Sequence, residues 1–119
     1  ITLHVPLTDK TRNILGRENL AKTKKGVRIV NCARGGLIDE AALKDALDTG
    51  HVAGAALDVF EPEPLPPESR FWSHPKVFLT PHAASITIPS SIAPQVVENI
   101  HNMRAGRPLI NLVDFSLGY

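Results

Sequence analysis

Apolar and polar positions alternate over the first five residues, Ile1, Leu3 and Val5 against Thr2 and His4. A period of two predicts a strand. Pro6 ends it, because proline has no N–H to give a ladder. Leu7 to Arg12 is a polar loop, and Glu18 to Lys24 is long enough for two helical turns before Gly26. Val27 to Cys32 is nearly continuous in apolar residues, as expected of a parallel strand buried on both faces. Asp39 is a good helix N-cap. Ala42, Leu43, Ala46 and Leu47 then return at helical spacing, and Gly50 closes the helix. His51 to Val59 is a third strand, and Lys76 to Thr80 a short fourth, broken by Pro81-His82. Glu61 to Pro67 is too rich in proline for regular structure; it reads as a stiff loop anchored by Phe71-Trp72. A last helix falls between Pro89 and Ala105, with Ile92, Val96, Ile100 and Met103 along one side and Gly106 as its stop. Pro94 would kink that helix or mark its start. Leu109 to Tyr119 reads as an extended tail.

Strands alternating with helices predict an α/β fold, a parallel sheet of about four strands with right-handed crossovers. This is one half of a Rossmann-like, doubly wound domain, or a small domain by itself. The chain opens inside a strand without a lead-in, so a fragment is expected. Its 119 residues suffice for one modest core, and 43% hydrophobic with 21% charged residues reads as globular. A net charge of +1 gives no electrostatic case for nucleic acid or an acidic membrane surface. One cysteine, Cys32, permits no internal disulfide and fits a reducing cytoplasm. No apolar run is long enough to span a bilayer as a helix.

The chemistry gathers at strand ends. Asn31-Cys32-Ala33-Arg34-Gly35-Gly36 is a glycine turn between a strand and a helix, and Arg34 is suited to a carboxylate or phosphate. The third strand ends at Asp58 and runs on to Glu63, and the fourth ends at His82. In a parallel sheet all three ends face one edge, where open α/β sheets bind ligands. A carboxylate beside a histidine favours imidazolium and fixes its tautomer. Imidazolium can then give a proton to a carbonyl oxygen as hydride arrives at carbon. His4, His51, His74 and His101 lack such company and read as structural or surface residues. Ligand spacing for a metal is absent. Ser69 and Ser85 lack the Gly-x-Ser-x-Gly elbow of a hydrolase.

Three ordered segments carry a family resemblance: Asn31 to Gly36, Ala56-Leu57-Asp58-Val59-Phe60-Glu61-Pro62-Glu63-Pro64, and Thr80-Pro81-His82-Ala83-Ala84-Ser85. Together with His4-Val5-Pro6-Leu7-Thr8 they resemble the signature segments of the D-isomer-specific 2-hydroxyacid dehydrogenases, over nearly the whole chain. Ile1 to Pro64 is most similar to the D-3-phosphoglycerate dehydrogenases of that family. Leu65 to Tyr119, with the Gly118-Tyr119 end, is more similar to its glyoxylate/hydroxypyruvate reductases. A natural mosaic and an assembled chimera both fit.

The resemblance implies reversible hydride transfer between NAD or NADP and a small 2-keto or 2-hydroxy acid, in a homodimer. Arg34 would bind the substrate carboxylate, His82 would be the acid–base group and Glu63 its partner. Asp58 would face the nicotinamide. Val5, Cys32, Ala33 and Arg34, with His82, Ala83, Ala84 and Ser85, would line the cofactor. The family also binds pyrophosphate with Gly-x-Gly-x-x-Gly, and this chain has no such run. Residues 1–105 are therefore expected to be a partial dinucleotide-binding domain lacking that loop, and 106–119 a tail belonging to the substrate domain. The missing parts are expected to precede Ile1, which leaves the isolated chain weak in cofactor binding and turnover. The alternative is a non-catalytic half-domain that folds and self-associates.

Overall fold

A computed structural model describes residues 1–117; the Gly118-Tyr119 end lies outside the described residues. The chain divides into two compact units, Ile1–Ala84 and a second beginning at Ser85.

The first unit is a four-stranded parallel sheet. Its strands β1 (Thr2–Leu3), β2 (Val27–Asn31), β3 (Val52–Leu57) and β4 (Val77–Leu79) lie side by side in chain order. The α/β fold and strand number match expectation. β1 is shorter than Ile1–Val5 because its partner runs out: Thr2 pairs with Val30 and Leu3 with Asn31, where β2 turns away.

Helices α1 (Arg17–Ala21) and α2 (Glu40–Asp48) supply the crossovers. The Asp39 side chain accepts from the Ala42 N–H, as expected of an N-cap. Gly50 takes φ +75° after the helix, a conformation that costs glycine little. Leu43 and Leu47 from α2 meet Leu20, Ile29, Leu37 and Val52 in the core. The opposite face of the sheet is barer. One row across it is Val30, Ala56 and Phe78, and Val30 and Phe78 are 42% and 69% exposed.

One local expectation is corrected. Of the pair Phe71-Trp72 only Phe71 is buried, while the Trp72 ring is exposed and its Nε1–H donates to the Pro66 carbonyl. Both residues sit in a single 3₁₀ turn (Arg70–Ser73), which can aim only one of them at the core.

In the second unit, α3 spans Pro89–Arg104 with Pro89 in its first turn. Pro94 lies inside the helix, where it forgoes the bond back to the Ser90 carbonyl. The segment after α3 is not simply extended. Asn99 accepts from the Ile110 N–H and donates to the Ile110 carbonyl, tying that residue to the helix. Among the described residues no helix is long and apolar enough to cross a membrane.

Candidate active site

The turn after β2 is shaped by one buried polar side chain. Asn31 is 1% exposed; its Oδ1 accepts from the Ala33 N–H at 3.1 Å and its Nδ2 donates to the Arg34 carbonyl at 2.9 Å. An amide closing its own backbone turn is a familiar use of asparagine. It leaves Arg34 exposed, with its guanidinium donating to the Ala33 carbonyl at 2.6 Å. Cys32 and Ala33 are half-buried behind it. The Cys32 sulfur lies 3.8 Å from His4 Nδ1, so His4 has a neighbour that its sequence surroundings do not reveal.

The loop after β3 delivers Glu63. Prolines on both sides narrow its backbone freedom. Its Oε1 accepts from the Phe60 N–H at 2.9 Å, and its Oε2 meets His82 Nδ1 at 2.8 Å. The His82 hydrogen bond lowers the Glu63 carboxyl pKa most. Burial opposes this, while the Phe60 N–H and the positive charges of His82 and Arg34 add to the lowering. With Nδ1 committed to the carboxylate, Nε2 is the nitrogen left for proton transfer.

His82 itself has φ +51°, a left-handed backbone uncommon for a side-chain-bearing residue. Asp58 holds it there. The His82 N–H donates to the Asp58 carbonyl at 2.8 Å. The Asp58 carboxylate accepts from the Ala83 N–H at 2.8 Å, from the Ala84 N–H at 2.9 Å and from the Thr80 hydroxyl. Burial alone would raise the Asp58 pKa. The Thr80, Ala84 and Ala83 bonds and the charge of His82 outweigh it, so the carboxyl titrates below its ordinary range. Asp58 thus spends both oxygens on the turn that carries His82.

Three of the sequence-derived residues come together in this way: Glu63 and His82 in direct contact, with Arg34 near enough for its charge to act on Glu63. Val5 is exposed beyond β1. Ser85 opens the second unit. A cleft of about 580 Å³ borders the pair, lined by Phe60, Glu63, Pro64, Leu65, Leu79 and His82 among others. Arg34 is not part of that mostly apolar lining, so the cleft is a poor place for a carboxylate. Among the described residues no His, Cys, Asp or Glu group has metal-ligand geometry.

The residues suit one end of a dinucleotide. Cys32 and Ala33, half-buried at a strand end, and the exposed Arg34 beside them could face a nicotinamide. A glycine-rich cradle for the pyrophosphate is missing from this sequence. Sequence reasoning passed over Asn31, Thr80, Arg12 and Glu61. An asparagine at a strand end before a glycine turn was a readable signal. Arg12 and Glu61, 49 residues apart, carry none.

The family model described as "D-isomer specific 2-hydroxyacid dehydrogenase, NAD binding domain" matches residues 1–84. D-3-phosphoglycerate dehydrogenase of Bacillus subtilis is 51% identical over 116 residues, which is 96% of this chain and 22% of that protein. Glyoxylate/hydroxypyruvate reductase A of Yersinia enterocolitica is 44% identical over 115 residues, 97% of this chain and 37% of that protein. A D-isomer specific 2-hydroxyacid dehydrogenase of Xanthobacter autotrophicus, crystallised with NADPH, superposes with a TM-score of 0.97 at 50% identity, covering 99% of this chain and 49% of that one. The chain therefore spans between about a fifth and two fifths of these curated relatives.

Proposed function

The chain belongs to the D-isomer-specific 2-hydroxyacid dehydrogenase family, and from that premise we propose that it carries the proton-transfer and carboxylate-binding part of a site exchanging hydride between NAD(P)H and a 2-keto acid. The contact between His82 Nδ1 and Glu63 Oε2 carries this reading. It fixes the imidazole tautomer and leaves Nε2 to give its proton to the substrate carbonyl oxygen. Arg34 would take the substrate carboxylate in its planar fork and draw charge from the adjacent carbonyl. Val5, Cys32, Ala33, Arg34, Asp58 and the His82–Ala84 segment would form the nicotinamide side of the cofactor site, with Asp58 acting through the Ala83 and Ala84 N–H groups. A bound nicotinamide supplies the hydride, and the protein supplies position and charge.

The relatives' names support a substrate of the 3-phosphoglycerate or the glyoxylate/hydroxypyruvate type. Because the glycine-rich cradle is missing from these residues, cofactor binding and turnover by the 119-residue chain alone should be weak. The test is an NMR titration of the labelled chain with NADH and oxamate, a 2-keto acid mimic. At ligand concentrations high enough to saturate weak binding, shifts at Arg34 and His82 are expected, the His82 shift being lost in Arg34→Met; no shift at either residue under those conditions overturns the reading.

A second reading, a half-domain that self-associates without turnover, is favoured by the exposed row of Val30 and Phe78 on the sheet. Sedimentation analysis tests it: a monomer at high concentration argues against self-association by these residues.

A further inference from the structure

We propose that Glu61 is a positioning residue for Glu63, seating the Phe60–Glu63 loop on the Gly35–Gly36 turn so that Arg34 and the Glu63–His82 pair are held as one body. The proposal rests on the reading of Glu63 and His82 as the acid–base pair.

Glu61 is gripped at two points. Its carboxylate accepts from the Arg12 guanidinium at 2.7 Å, and its N–H donates to Glu40 Oε1 at 3.1 Å. Arg12 comes from the loop after β1 and Glu40 from the start of α2, so the grip joins three segments. The turn has made room for it. A Cβ on Gly35 would lie 2.0 Å from the Phe60 carbonyl carbon, and one on Gly36 would lie 2.4 Å from Glu61 Oε2 and 2.9 Å from the Arg12 guanidinium. At Gly35 the atoms met are the Phe60 backbone, which leaves no room for a side chain, whereas at Gly36 they are the ends of the Glu61 and Arg12 side chains, which a Cβ would push aside. Only Pro62 separates Glu61 from Glu63, and its ring fixes φ. Displacement at Glu61 is therefore passed to Glu63 with little slack.

The Arg12 and Glu61 side chains are about half exposed, 48% and 50%. Exposed ion pairs add little to stability. The contribution of this pair is one of geometry: it decides where the loop lies, while the core decides whether the chain folds.

The test is a carbon-13 carboxyl NMR titration of Glu63 in the 119-residue chain. In Glu61→Ala, loss of one negative charge would by itself lower the Glu63 midpoint. A loosened loop raises it, because the His82 and Phe60 bonds that hold it down weaken. We expect the midpoint to rise towards the ordinary carboxylate range, with cooperative thermal unfolding retained. Glu61→Gln keeps an acceptor for Arg12 and should return most of the shift. If Glu61→Ala does not fold, Gly36→Ala decides the matter, since its Cβ evicts the Glu61 carboxylate without changing any charge. An unchanged or lowered midpoint in the folded variant overturns the proposal. Failure of the unaltered chain to respond to oxamate would instead count against the acid–base reading, and leaves this result standing.

Discussion

His82 Nδ1 lies 2.8 Å from Glu63 Oε2, and the same carboxylate is held from behind by the Phe60 N–H. The histidine is thus oriented by a group that is itself oriented. Its own backbone is meanwhile kept in a left-handed conformation by Asp58. Such strain costs roughly 1–3 kcal/mol and persists only where the surroundings impose it. Here they do so through bonds from Asp58 to the residues on either side of the imidazole.

In an intact enzyme carrying this chain, His82→Ala should slow reduction of a 2-keto acid by about 10²–10⁴-fold, the usual worth of acid–base assistance. Steady-state kinetics with NADPH and hydroxypyruvate would measure it, and an unchanged kcat removes His82 from the mechanism.

Glu63→Gln should alter the pH dependence as well as the rate. The Glu63 pKa is lowered in the folded chain, so its stabilising contribution is present above the unfolded pKa and is lost as pH falls through the folded value. The unaltered chain should therefore lose stability in acid, and Glu63→Gln should flatten part of that loss in urea titrations repeated across pH.

Asp58→Ala would leave the Ala83 and Ala84 N–H groups without their acceptor. We expect a loss of about 1.5–3 kcal/mol in unfolding free energy, the worth of hydrogen bonds to a charged group, because Ala83 and Ala84 are exposed and their N–H groups can turn to water. Asp58→Asn, which keeps one good acceptor, should lose less. The Asp58 pKa is also lowered, so its contribution too disappears as pH falls through the folded value. Equal stability of Asp58→Ala and the unaltered chain at neutral pH would show that the turn stands without it.

Leu43→Ala tests the core beneath the site. Leu43 is fully buried between α2 and the sheet, and such truncations cost about 2–5 kcal/mol. Denaturant unfolding measures the loss. A cost below 1 kcal/mol, the scale of an exposed position, would mean that α2 does not pack as described.

Much of this protein was legible in its residues alone. The strands at Val27 and Val52, the Asp39 cap and the Gly50 stop follow from periodicity and turn chemistry, which act within a few residues. The fold class follows from the order of those elements, and the gathering of Arg34, Glu63 and His82 from the rule that parallel strands end at one edge. Tertiary structure decided what local pattern cannot reach. Partners of the site residues lie far apart in sequence, 19 residues for Glu63 and His82 and 49 for Arg12 and Glu61. Only the registered sheet and its crossovers bring them within bonding distance. Whether Asp58 serves a ligand or the turn beside it depends on which groups reach its buried oxygens, and Phe71 rather than Trp72 faces inward because one turn offers one direction to the core. Sequence determined which chemistry arrives at the edge of the sheet; packing determined how each group is held there.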